Sequence, residues 1–202
     1  MQSWIVDKDF YKSASMLDTK RLQANIYENI HILASLLYVN DKLITPKRSV
    51  INHPNAKLWV GYERELLCYI AIHLDEWMIS KKHKSEKNLQ NFHFLRGLFS
   101  GMEYLTIDQC QKYLNNVKWI TEEFIQRHRA KLIQKEIDKE NKLLKMKESI
   151  SWIKSFANEY ELKAHKMKME ALDKKIANNY HYRNLWYNCK INSNNTGMRY
   201  NW

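Results

Sequence analysis

The chain has few backbone breakers: its 202 residues include only four glycines and two prolines. Frequent tight turns need residues that reach positive φ or fix it, so a many-stranded β fold is excluded and long helices are favoured. Cysteine is scarce as well. Cys68, Cys110 and Cys189 are far apart and odd in number, which excludes a disulfide framework or a zinc spacing and points to a reducing compartment. No apolar run approaches the length of a bilayer; the longest centres on Ile70-Ala71-Ile72. The opening MQSWIVDKDF lacks the basic start and apolar core of a signal peptide. A soluble protein of the cytoplasm, cellular or phage-encoded, is expected, without membrane contact. Also missing are a glycine-rich phosphate loop, a nucleophile elbow and a His/Glu metal pair at helical spacing. His53, His73, His83 and His93 are scattered. Neither a metal nor a cofactor is expected.

What is present is hydrophobic and basic. Apolar residues make up 45% and aromatics 12% of the chain, enough for a folded core rather than a disordered segment. Lys plus Arg exceeds Asp plus Glu by 33 to 22, a net charge of +11, and the excess is spread over both halves. A folded basic domain most often meets an anionic partner, with nucleic acid the leading one; simple colloidal solubility is the alternative.

Along the chain, residues 1–14 read as an ordered leader carrying Trp4, Ile5, Phe10 and Tyr11. A helix starts near Ser15 or Asp18, both fair caps. Its Leu22, Ile26, Ile30, Leu33 and Leu37 fall within about 80° of one another at about 100° per residue, a core stripe. Asn40 and Asp41 end it, and residues 40–52 form a loop. In INHPNAKLW, Asn52 or His53 caps the next helix and Pro54 sits in its first turn, where a missing N–H costs nothing. Trp59, Tyr62, Leu66, Tyr69, Ile70, His73 and Trp77 keep core spacing, so one helix is predicted to about Ser80. A basic connector, KKHKSEKN, leads to a short helix and turn. Further helices are expected after Thr106 or Asp108 and after Thr121. Lys131 to Asn178 is lysine-rich and helical, with opposite charges close together as on an exposed helix. The end is aromatic and irregular. The predicted architecture is all-α: a compact helical bundle of residues 1–135, a basic helical extension or insertion of 136–178, and an aromatic segment of 179–202 that packs back on the core.

Four groups of residues could carry chemistry. Arg21 and Glu28 lie about 20° apart on the polar side of the first long helix, with Lys20 and Asn25 beside them. Cations neutralise phosphates, asparagine holds a sugar or base edge, and glutamate moves protons; a merely solvated helix face reads the same way. Asn52 and His53 could face a phosphate or sugar, or could only cap. His128 and Arg129, with Arg127, Lys131 and Lys135, mark an electropositive helix suited to phosphate contacts, or an exposed charged one. In the tail, Tyr180, Tyr182, Trp186, Tyr187, Tyr200 and Trp202 alternate with His181, Arg183, Lys190 and Arg199. They could stack on unpaired bases or dock the C-terminus.

LDTKRLQANIYENIHIL followed by NHPNAKLWVGYERELLCYI resembles the pyrimidine-dimer DNA glycosylase family. This family includes the phage endonuclease V type of repair enzyme and a bacterial branch, to which the likeness is closer. Counterparts cover residues 1–80 and Trp119 to Lys135, while residues 136–190 look inserted. The resemblance implies an all-α fold and a single domain; double-stranded DNA is the expected partner, no cofactor is expected, and the protein is expected to be a monomer. It implies base excision coupled to strand scission at the abasic site, through an imine between a protein amine and the sugar. Glu28 lands on the family's glutamate. Tyr27 stands where the phage enzymes carry an arginine, and Arg21 falls near a residue that helps open the duplex. The nucleophile there is an α-amine freed by methionine removal. Here Gln2 is too large for that removal, so Met1 is expected to supply the amine. Its pKa of about 7.7–8.0 suits it better than Lys20, whose side chain starts near 10.4. Catalysis thus falls to Met1 and Glu28. The expected DNA contacts are Lys20, Arg21, Asn25, Asn52 and His53, joined by Lys57, His128, Arg129 and Lys131. The alternative is a non-catalytic basic helical protein that binds nucleic acid through Lys131 to Asn178 and the tail.

Overall fold

The computed structural model describes residues 3–39, 44, 48–102, 105–153 and 170–171. Among them the regular structure is all helical. In chain order it comprises α1 (Phe10–Ser15), α2 (Thr19–Leu36), α3 (Arg48–Ile51), α4 (Pro54–Leu58), α5 (Glu63–Asp75) with a π-helical turn (Glu76–Ser80), α6 (Glu86–Arg96), α7 (Ile107–Leu114) and α8 (Glu122–Ile153). The chain divides into a first unit from Met1 to Ile125 and a second that begins at Gln126. The expected helical region to Asn178 is described to Ile153, and the aromatic tail lies outside the described residues.

The local reasons for these helices are mostly side-chain caps. The Asp18 carboxylate accepts from the Arg21 N–H at 3.0 Å and starts α2. Thr106 and Gln109 cap each other's backbone at the head of α7, and the Thr121 hydroxyl accepts from the Phe124 N–H at 3.2 Å before α8. Each such cap satisfies an N–H that a helix start leaves open. The leader departs from expectation, because residues 10–15 form α1, capped by Asp9. At its other end α2 closes with Tyr38 in the left-handed region at φ 53°. There the Val39 N–H reaches the Ala34 carbonyl and the Tyr38 N–H reaches that of Ser35, a paired closure that usually uses glycine.

The helix predicted from His53 to Ser80 is broken. α4 stops at Leu58, and Gly61 turns the chain at φ 78°. The Glu63 carboxylate accepts from the Gly61 N–H at 2.9 Å. The core spacing ran unbroken across this break because Trp59 closes α4 against the same interior that α5 fills. α5 is the central element, packing on α1, α2, α6 and α7. Leu66, Cys68, Tyr69, Ile70, Ile72 and His73 on it are fully buried. The apolar stripe of α2 meets it: Leu22, Ile26, Ile30 and Leu33 are buried, while Leu37 at the helix end is half-buried. Cys68 and Cys110, on α5 and α7, are free and buried thiols. A hydrogen bond between them and then burial push Cys68 above the usual thiol range.

Candidate active site

Four short segments distant in sequence meet through one set of buried polar atoms. Ser3 is fully buried. Its hydroxyl donates to Asn29 Oδ1 at 2.5 Å and accepts from Asn55 Nδ2 at 3.0 Å and Trp59 Nε1 at 2.9 Å. One donor and two acceptor sites are all that a hydroxyl has, so Ser3 is saturated. Asn29 in turn donates to the Asn25 carbonyl and side chain, at 2.6 and 2.9 Å. Asn25 Oδ1 accepts from the Trp4 N–H at 3.2 Å, and Asn25 Nδ2 donates to the Tyr69 hydroxyl at 2.7 Å. The Tyr69 hydroxyl donates to the Trp4 carbonyl at 2.7 Å, which closes the circuit. Burial pushes the Tyr69 phenol upward, against the opposing pull of Asn25, so it stays a neutral donor. Trp59 completes the wall, 5.6 Å from the Tyr69 ring and edge-on to Trp119 at 4.9 Å. Such a network is favourable only when every member is satisfied, and each removal leaves orphaned partners. Its effect is to fasten Ser3 and Trp4 between α2, α4 and α5.

Asn25 therefore does not belong to the surface strip expected of α2. Its side chain is 1% exposed. The cause is that α2 is covered over a wider arc than its apolar stripe, because the N-terminal segment lies along one flank. Lys20 is exposed, and Arg21 and Glu28 are half-buried. Arg21 holds Asp18 at 2.5 Å, so its guanidinium is already shared with a carboxylate. Tyr27 is 51% exposed, with its ring against His31 at 4.4 Å.

His53 and not Asn52 caps α4. Its Nδ1 accepts from the Asn55 N–H at 3.1 Å, so in the neutral ring the proton sits on Nε2, which is left as a donor. The ring titrates below the ordinary histidine value, first through burial, then through the positive charge of the chain's amino terminus, with Glu28 pulling the other way. The motif NHPN thus works three ways: His53 caps, Pro54 opens the helix, and Asn55 ties it to Ser3. Asn52 and Lys57 are exposed. Met1 lies outside the described residues.

The remaining expected contacts sit on α8 within the second unit. There His128 is buried, Arg129 is half-buried, and burial lowers the pKa of Lys131. Among the described residues no group of three or more His, Cys, Asp or Glu side chains could hold a metal ion, and no helix is long and apolar enough to cross a membrane.

Fold and site together define an all-α basic protein whose N-terminal segment is locked against a glutamate-bearing helix. Residues 1–90, a little under half of the chain, match the family model described as pyrimidine dimer DNA glycosylase, and over this stretch the chain is similar to that family. No curated protein and no solved structure matches the chain.

Proposed function

We propose that the protein is an N-glycosylase and abasic-site lyase that acts on damaged or modified pyrimidines in double-stranded DNA. The observation that carries this proposal is the locked N-terminal segment. Ser3 is fixed by α2 and α4, and two further residues reach at most about 7 Å along the chain. On this reading the α-amine of Met1 works within reach of Glu28 and His53, and His53 responds to the charges of both the amino terminus and Glu28. An α-amine with a pKa of about 7.7–8.0 is partly neutral at physiological pH and can act as a nucleophile.

The chemistry would run as follows. Lys20, Lys57 and Arg21, with Asn52, hold the duplex by its phosphates, helped by His128, Arg129 and Lys131 of α8. The Nε2–H of His53 donates to a phosphate or sugar oxygen. A lesion weakens stacking, so turning out the damaged nucleotide costs less there than at an intact pair. The Met1 nitrogen lone pair attacks the sugar C1′, and the base departs with the glycosidic electron pair and takes up a proton. The amine loses a proton as the ring opens, leaving an imine. Glu28 balances the positive charge of the protonated imine and removes the C2′ proton. Those electrons form the C2′–C3′ double bond and expel the 3′ phosphate. Water then releases the amine. Glu28→Gln should bind abasic duplex as the wild type does and cut it at least ~100-fold more slowly, in the range of lost acid–base catalysis. Unchanged cutting would remove Glu28 from the mechanism. Salt-sensitive binding without any cutting by the wild type would favour a non-catalytic nucleic-acid binder.

A further inference from the structure

Four sulfur-bearing side chains of the first unit line one cavity. It measures about 250 Å³, lies among α5, α6 and α7, and is mostly apolar. Cys68 of α5 and Cys110 of α7 line it, and so do Met78 and Met102. The two thiols touch, because Cys68 donates a hydrogen bond to the Cys110 sulfur. Both are free thiols. Cys68, Cys110 and Met102 are buried, and Met78 is half-buried. Met78 stands in the π-helical turn Glu76–Ser80 that follows α5, a rare geometry found frequently at functional sites. Methionine is the usual filler of irregular core gaps, yet here two methionines border open volume. No ligand spacing links the four positions in the sequence. The packing of α5 on α7 brings the thiols together.

We propose that Cys68, Cys110, Met78 and Met102 form a binding site for a soft monovalent cation of the Cu(I) class, with the two cysteines as principal ligands and the thioethers in support. The donor set carries the choice of metal. Thiolate and thioether sulfur select Cu(I), whereas carboxylate and carbonyl oxygen suit magnesium, calcium and manganese. A structural zinc site takes four Cys or His donors, and among the described residues no group of three or more His, Cys, Asp or Glu side chains could hold a metal ion. On binding, each thiol gives its proton to solvent, and the freed sulfur lone pairs bind the metal without a change in its oxidation state. Cu(I) with two thiolates carries one net negative charge. Arg96 is the cation of the lining that can offset it, with Asp75 as the lining acid. The site is separate from the DNA chemistry and does not depend on the glycosylase reading.

The test is a competition for Cu(I) supplied as its coloured bicinchoninate complex, with reduced full-length protein and without oxygen. The wild type should withdraw one equivalent and bleach the colour in proportion. Cys189→Ser should do the same, which separates the cavity thiols from the third cysteine. Cys68→Ser/Cys110→Ser should withdraw none. Met78→Leu/Met102→Leu conserves volume and should stay folded. It should hold the metal at least ~10-fold more weakly, the size of loss seen when a supporting partner of a metal site is removed. X-ray absorption on the Cu(I)-loaded wild type needs no variant to fold, and should show sulfur alone around the metal. No withdrawal by the wild type overturns the site, as does withdrawal by the Cys68→Ser/Cys110→Ser protein equal to that of the wild type. Unchanged affinity in the methionine variant, or nitrogen or oxygen neighbours of the metal, overturns the four-sulfur assignment.

Discussion

The two faces of α5 are built on opposite plans. One carries Tyr69 into the hydrogen-bonded circuit around Ser3 and Asn25, with the buried His73 one turn on and bonded to the Tyr69 carbonyl. The other, with Leu67, Cys68, Ala71 and Leu74, lines an apolar cavity of about 250 Å³ closed by residues of α6 and α7 such as Phe92 and Cys110. An apolar cavity is the usual first candidate for a ligand site. Here it lies on the face of α5 away from the circuit, and its lining is mostly apolar, with Asp75 and Arg96 as the charged groups. The chemistry is better sought where polar atoms are buried and all used, because such an arrangement fixes position. An apolar wall can adjust to what it meets.

The largest contrast should come from Ser3→Ala. It strands Asn29 Oδ1, Asn55 Nδ2 and Trp59 Nε1 at once, and should cost about 3 kcal/mol in urea unfolding, since each buried orphan costs about 1–3 and relaxation recovers part. Cutting of abasic DNA should fall even where the protein remains folded. A loss below about 0.5 kcal/mol would mean that the circuit does not hold the segment.

His73 gives a pH signature confined to the polar face. Its Nδ1–H donates to the Tyr69 carbonyl at 2.8 Å, and Nε2 is buried without a partner. Burial lowers its pKa to about 4 from 6.5, so the native ring stays neutral where the unfolded chain takes up a proton. Its contribution is therefore whole above pH 6.5 and is lost as the pH falls towards 4. The full loss is on the order of 3 kcal/mol. Wild type compared with His73→Phe across this window isolates it; parallel stability curves would show that the ring is not buried neutral.

The smallest effect is expected opposite. Ala71→Leu puts apolar volume into the cavity and should change stability by no more than about 1 kcal/mol, with cutting unchanged. A collapse of cutting would assign the cavity a role that its chemistry does not suggest.

Much of this framework was legible in the sequence. The stripe of α2 and the caps Asp18, Thr106 and Thr121 follow from periodicity and side-chain chemistry that act within a few residues. The circuit was not legible, because Ser3 finds partners 26, 52 and 56 residues away, and a lone Ser or Asn has no periodic signature. Asn25 misled because wheel geometry places a residue on a flank without saying what covers that flank. The end of α4 was hidden because Gly61, a single glycine within a periodic run, is locally compatible with helix or break. Asn55 had one signal available: it follows the His-Pro start of a helix, where an inward-facing polar side chain needs a partner.

The most direct measurement is the site of covalent attachment. Abasic duplex is reduced with borohydride in the presence of the protein, and the adduct is mapped by proteolysis and mass spectrometry. The account predicts a single adduct on the α-amine of Met1, lost when Ser3→Ala loosens the segment. An adduct on a lysine side chain, or none under conditions where the duplex is fully bound, would contradict it.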